Sequence, residues 1–202
     1  GLFHEIPILR NRKLLNPIIF AAITLTASVS FSQTADLIAQ AMEASLGTTG
    51  ANYFTYENGE LTSVRAEDRS FLVIAEPYDN FELSIEYWVE PSTNSGIFVR
   101  CQDLNEVAAG TCYEVNIWDE NENPANRTGA IINFAPPLVE IDSQGQWNTM
   151  NVRADGGHLV VIVNGQTTVD TMDDTYTGGH IALQYGGDNM LVKFRNLEIE
   201  AL

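Results

Sequence analysis

From residue 59 onward, almost every run between Gly, Asn, Asp and Pro alternates apolar and polar residues with a period of two. The runs are FLVIAEP, FELSIEYWVEP, SGIFVRC, CYEVNIWD, GAIINFAPP, WNTMNVRADGG, HLVVIVNGQ, HIALQYGG and MLVKFRNLEIEAL. Successive side chains of a strand point to opposite faces, so a chain written this way folds into short strands that each bury one side. Their regular spacing between turn signals predicts an all-β, two-sheet antiparallel jelly-roll sandwich over residues 50–202. A chain of 202 residues with 45% hydrophobic content can bury one core, and no internal repeat or linker divides it.

One segment has a different period. In residues 34–46, TADLIAQAMEASL, the apolar positions Leu37, Ile38, Ala41, Met42 and Leu46 recur at helical spacing, with Thr34 as candidate cap and Gly47 as stop. Residues 33–49 are therefore expected to form a short helical segment against one end of the sandwich. Further upstream, Arg10, Arg12 and Lys13 precede the apolar run Leu14 to Phe31, and Ser30 and Ser32 supply the small residues of a cleavage site. Residues 1–32 read as a secretory signal peptide, which places the mature chain in the periplasm or outside the cell. The run holds Asn16 and Pro17 and falls short of the roughly 20 apolar residues of a spanning helix, so no membrane span is expected in the mature form.

Of the 10 basic and 27 acidic residues, removal of the leader takes away three bases and Glu5, leaving seven against 26 and a formal charge of −19. Such a surface repels nucleic acid and anionic lipid. Cys101 and Cys112 are the only cysteines, and export to an oxidising compartment favours a bridge between them. Strict alternation puts Cys101 and Cys112 on opposite faces, so the bridge requires a bulge or local twist near the loop.

The polar face of the strands carries the candidate chemistry. In FELSIEYW, Glu82, Ser84, Glu86 and Trp88 oppose an apolar face; in the next strand Phe98 and Arg100 oppose Ile97 and Val99; then Glu114, Asn116 and Trp118 oppose Tyr113, Val115 and Ile117. If the three strands are neighbours, Glu86, Trp88, Phe98, Arg100, Glu114, Asn116 and Trp118 share one surface. Aromatic plates beside carboxylate, amide and guanidinium groups suit a sugar, whose CH faces stack while its hydroxyls take hydrogen bonds. The plainer reading is a solvated face on which Arg100 and Glu114 form a surface ion pair worth under about 1 kcal/mol. No Gly-x-Ser-x-Gly and no zinc-ligand spacing occurs, and His158 and His180 sit at strand starts. The acidic loop 119–129 lacks the EF-hand pattern. No cofactor is expected, and the expected partner is a sugar or glycoside.

The blocks NSGIFVR (94–100), YEVNIWD (113–119), RTGAI (127–131), QWNTMNV (146–152), VIVNGQ (161–166), GHIALQ (179–184) and VKFRNLEIEAL (192–202) resemble, in order and spacing, the secreted 3-keto-disaccharide hydrolase family, also described as a 3-keto-glucoside lyase and hydratase domain. The resemblance implies a concanavalin A-like jelly roll acting on glycosides already oxidised at C3. Its motifs fall on Asn94, Ser95, Arg100, Glu114, Asp119, Gln184, Arg195 and Asn196. It departs at Asn116 where glutamine is usual, at Ile132 where tyrosine is usual, and at Gly186 where histidine is frequent. Elimination next to a C3 ketone needs a base at C2 and a positive group at the C3 oxygen. The implied catalytic set is thus Glu114, Arg100 and Asp119, with Glu86, Trp88, Asn94, Asn116, Trp118, Gln184 and Arg195 binding substrate. Two functions are expected to compete: an exported enzyme cleaving 3-keto-glycosides, or a non-catalytic carbohydrate-binding jelly roll on the same face.

Overall fold

Eleven strands form two antiparallel sheets, in a computed structural model that describes residues 36–44 and 52–202; of the alternating runs, GAIINFAPP alone is not a strand but a turn closed by isolated bridges at Ile131 and Ala135. The expected leader and Thr34 lie outside the described residues. The larger sheet has the order β1 (Phe54–Glu57), β2 (Glu60–Ser63), β11 (Val192–Ala201), β4 (Phe81–Val89), β7 (Trp147–Asp155), β8 (His158–Val163) and β9 (Gln166–Met172). The smaller has the order β3 (Ser70–Val73), β10 (His180–Tyr185), β5 (Ser95–Cys101) and β6 (Tyr113–Ile117). The β1–β2 and β8–β9 hairpins close on Asn58-Gly59 and Asn164-Gly165, all four residues at positive φ, the two-residue turn whose twist matches that of the strands.

Phe81, Leu83, Ile85, Val99, Val115, Ile117, Leu183 and Phe194 are buried between the sheets, as their alternation predicts. Ile162 was expected among them but faces outward. Val161 and Val163 point inward instead, because HLVVIV is apolar at every position but its first and so carries no usable alternation. The helix runs from Leu37 to Ala44 and buries Ile38 and Ala41. Its cap is Asp36, whose Oδ1 accepts the Ala39 N–H at 3.0 Å. No helix among the described residues is long and apolar enough to cross a membrane.

The largest departure from expectation is that β4 and β5 are not neighbours. After β4 the chain turns at 90–94, where Ser92 has a φ of 65° and the Thr93 N–H and hydroxyl both donate to the Glu90 carbonyl. It then enters the other sheet. Glu86 and Trp88 therefore lie on the outer face of the seven-stranded sheet, while Phe98, Glu114 and Asn116 lie on the outer face of the four-stranded one.

A bulge near the end of β5 decides two further residues. His180 pairs with Cys101 and Ala182 with Phe98, so Val99 and Arg100 together oppose Ile181, and Arg100 has a φ of 52°. The extra residue turns Cys101 to the outer side, where it is joined to Cys112 and packs with Phe71, Val73, Phe98, Val107 and Ala182. Replacing both cysteines by alanine is expected to lower stability by about 3 kcal/mol on the chain-entropy model, read as a lower urea midpoint. An unchanged midpoint would show that the 101–112 loop is held by packing alone.

Candidate active site

The same bulge removes Arg100 from the polar face. Arg100 is fully buried; its Nε donates to the Asp79 carbonyl at 2.8 Å, and its Nη1 to the carbonyls of Gly156 at 2.8 Å and Tyr176 at 2.9 Å. Its Nη2 reaches Asn80 Oδ1 at 3.2 Å. The expected Arg100–Glu114 pair does not form, and Arg100 clamps connections at one end of the sandwich.

Glu114 itself stays on the outer face of the small sheet, as do Asn116 and Gln184. The registers align Phe71, Gln184, Gly96 and Asn116 as one row across β3, β10, β5 and β6, with Val73, Ala182, Phe98 and Glu114 as the next. Glycine at 96 makes room in the first row: a Cβ there would come within 3.4 Å of both Gln184 Oε1 and a Phe98 ring carbon. Gln184 is 5% exposed and its Oε1 has no hydrogen-bond partner among the described residues. Asn116 is 2% exposed; its Nδ2 donates to the Asn126 carbonyl, and its Oδ1 is also unpaired. A buried acceptor left unpaired costs about 1–3 kcal/mol, so two in one row mark a place where a ligand's hydroxyl donors would be stabilising.

The Glu114 carboxyl makes no hydrogen bond to any described residue. Burial pushes its pKa up to about 7, with Arg69 pulling in the opposite direction. That value suits proton transfer at neutral pH. Asn94 and Trp118 flank the paired residues Ser95 and Ile117 at one end of this sheet, and both are half-buried.

The remaining expected residues are elsewhere. Asp119 fastens loops: its Oδ1 accepts the hydroxyls of Thr128 at 2.5 Å and Ser143 at 2.8 Å, and its Oδ2 accepts the Ser143 N–H at 2.6 Å. With both oxygens so engaged it is not a free acid or base beside Glu114. On the seven-stranded sheet Arg195 Nε binds Glu86 Oε2 at 2.6 Å, and its guanidinium lies 3.8 Å from the Trp147 ring centroid. The hydrogen bond from Asn196 and the Arg195 guanidinium hold the Glu86 carboxyl below its usual range. Trp88 is opposite Trp147 in the β4–β7 register, under the Lys193 ammonium at 5.9 Å. Glu86, Trp88 and Arg195 thus form a separate network on the opposite side of the molecule from Glu114. A groove of about 410 Å³ adjoins it, lined by residues including Ser84, Asn151, Arg153 and Glu198.

Two members of the small-sheet face escaped the alternation pattern. Phe71 packs edge-on against Phe98 at 5.2 Å between centroids, and Arg69 places its guanidinium 6.0 Å from the Phe71 ring. Gly186, next to this face, approaches Asn94 so closely that a Cβ would stand 2.0 Å from the Asn94 carbonyl oxygen. Gly186→His is therefore expected to displace Asn94 and lower stability by about 1–3 kcal/mol, measured by thermal unfolding. A histidine accepted without loss would mean that the 94–96 backbone yields freely.

A model of the 3-keto-alpha-glucoside-1,2-lyase-like domain matches residues 37–200. Among solved structures, a candidate glycosyl hydrolase from Parabacteroides distasonis ATCC 8503 is similar at 24% identity with a TM-score of 0.69, covering 82% of this chain and 98% of that one. The carbohydrate-binding module CBM66 from Bacillus subtilis is similar at 12% identity and a TM-score of 0.59, covering 76% and 94%. The exoplasmic/lumenal domain of VIP36, bound to calcium and Man3GlcNAc, is similar at 8% identity and a TM-score of 0.56, covering 75% and 84%. No curated protein matched. The structural likenesses establish a shared jelly-roll fold.

Proposed function

The chain belongs to the 3-keto-alpha-glucoside-1,2-lyase-like family, and from that premise we propose that it cleaves 3-keto-glycosides on the outer face of the small sheet, with Glu114 as the base. One observation carries this reading. Glu114 is a half-buried carboxyl with no hydrogen bond to the described protein and a pKa of about 7, on the same sheet face as the amide oxygens of Asn116 and Gln184, which are unpaired among the described residues.

A ketone at C3 acidifies the C2 hydrogen. Glu114 takes that proton, and the electron pair of the C–H bond forms the C2–C3 double bond of an enolate, with the carbonyl pair moving onto the C3 oxygen. Collapse of the enolate re-forms the ketone, makes the C1–C2 double bond and expels the C1 substituent with its bonding electrons. The departing oxygen is protonated by the Glu114 carboxylic acid or by water. Addition of water, hydroxyl to C1 and proton to C2, completes a net hydrolysis. Gln184 and Asn116 would accept hydrogen bonds from sugar hydroxyls and fix the ring against Glu114.

The test is incubation of the purified protein with a 3-keto-glucoside. Release of the aglycone and the 3-keto sugar is expected, at a rate that rises with pH through about 7 as Glu114 ionises. Binding without release would leave a carbohydrate-binding jelly roll. No release and no binding would sink both.

A further inference from the structure

The elimination builds negative charge on the C3 oxygen, and with Arg100 withdrawn into the sandwich the site needs another cation. We propose that Arg69 is that group: a catalytic residue immediately ahead of the edge strand β3 of the small sheet, facing the enolate oxygen of an uncharged 3-keto-glycoside. This rests on the reading of Glu114 as the C2 base.

Among the described residues there are seven Lys and Arg side chains. Arg65, Arg127, Arg153, Lys193 and Arg195 are each paired with a carboxylate, and Arg100 is spent on three carbonyls and an amide oxygen. Arg69 alone has neither a salt bridge nor a hydrogen bond within the described protein. In a chain of formal charge −17, a cation left without a carboxylate is conspicuous. It sits where the site lacks one. Arg69 immediately precedes β3, Phe71 is level with Gln184, and the guanidinium lies 6.0 Å from the Phe71 ring centroid. Adjacent strands are about 4.8 Å apart, so the row from Phe71 to Asn116 spans about 14 Å at the backbone. Arg69 stands at the β3 edge, just ahead of Phe71, and Glu114 stands on β6 at the other edge in the row beyond Asn116, so the row of Gln184 and Gly96 lies between them. Arg69 is also the one charged group that acts on the Glu114 carboxyl, holding it below the level burial alone would set.

Overall charge decides the substrate class. A field of this sign and size disfavours approach of an anionic glycoside. A single local guanidinium instead suits a neutral substrate whose charge appears in the transition state, where a preorganised donor has the greatest effect.

Steady-state kinetics of the parent, Arg69→Lys and Arg69→Gln on a neutral 3-keto-glucoside, measured from pH 5 to 9, test the assignment. Arg69→Gln is expected to lower kcat about a hundredfold with KM nearly unchanged. It is also expected to move the midpoint of the kcat/KM profile upward, since Glu114 loses the charge that holds it down. Arg69→Lys should keep the midpoint and part of kcat, and melting temperatures near pH 4, where Glu114 is protonated in both states, should change little because Arg69 makes no salt bridge or hydrogen bond to the described residues. A parent that releases no sugar overturns the reading of Glu114, and the role of Arg69 with it. An active parent whose Arg69→Gln variant matches it in kcat and midpoint overturns the Arg69 assignment alone and leaves a solubilising charge beside an edge strand. A rise in KM with kcat intact also overturns it, since Arg69 would then bind ground-state substrate.

Discussion

Glu114→Gln is expected to lower turnover of a 3-keto-glucoside by at least about a hundredfold, as loss of a general base does, while making the sandwich more stable above neutral pH. The two halves of this result have one cause. Burial raises the Glu114 pKa from 4.5 to about 7 in the folded protein, so the fold favours the protonated form. The folded state then holds a proton that the unfolded chain has released, and between pH 4.5 and 7 stability falls as pH rises. Above about pH 7 the carboxylate is ionised in both states and the full penalty, at about 1.4 kcal/mol per pH unit, is on the order of 3 kcal/mol. Glutamine keeps the shape and the polar tip but has no charge to desolvate, so the variant should gain stability at pH 8 and match the parent near pH 4. Thermal unfolding at the two pH values reads the stability, and sugar release reads the chemistry. A variant that turns over like its parent would remove Glu114 from the mechanism, even if the stability gain appeared.

How much of this was legible before the structure depends on what alternation can carry. Glu114 and Asn116 were assignable because their strand keeps a strict period of two and is covered differently on each side, and Gln184 through the resemblance of its Leu-Gln motif. Pairing was not legible: the segment 90–94 is as short as a hairpin loop, yet Ser92 at positive φ and the Thr93 bonds to Glu90 send the chain into the other sheet. That one crossover separates Glu86, Trp88 and Arg195 from Glu114. The β3 run gave no face at all, since Phe71 and Val73 are buried under the 101–112 loop while Leu72 and Ile74 are buried in the core. Arg69, just ahead of that run, therefore had no face to be assigned to. The bulge in β5 was the one hidden feature with a clue in the sequence. A bridge between Cys101 and Cys112 calls for a bulge or local twist near the loop, and the bulge that forms carries Arg100 off the polar face.

Arg100→Leu is accordingly expected to damage the fold and not selectively the chemistry, with a loss of about 3–5 kcal/mol. Its guanidinium, wholly out of solvent, fastens three connections: Asp79 and Asn80 between β3 and β4, Gly156 between β7 and β8, and Tyr176 between β9 and β10. Leucine fills part of the volume but leaves the carbonyls of Asp79, Gly156 and Tyr176 facing an apolar group, and each buried acceptor left unpaired costs about 1–3 kcal/mol. Lysine keeps the charge, yet a single ammonium cannot reproduce the planar fork that spans three loops at once, so Arg100→Lys should fall between the parent and leucine. Urea unfolding of the three proteins measures the ordering, and sugar release by the fraction still folded separates the two roles. If Arg100→Leu unfolds within about 1 kcal/mol of the parent and loses turnover alone, the clamp is unimportant to stability and Arg100 returns to the catalytic set. If its folded fraction keeps parental turnover, the positive charge of the reaction comes from elsewhere on the face, and Arg69 is the one cation there that has nothing else to hold.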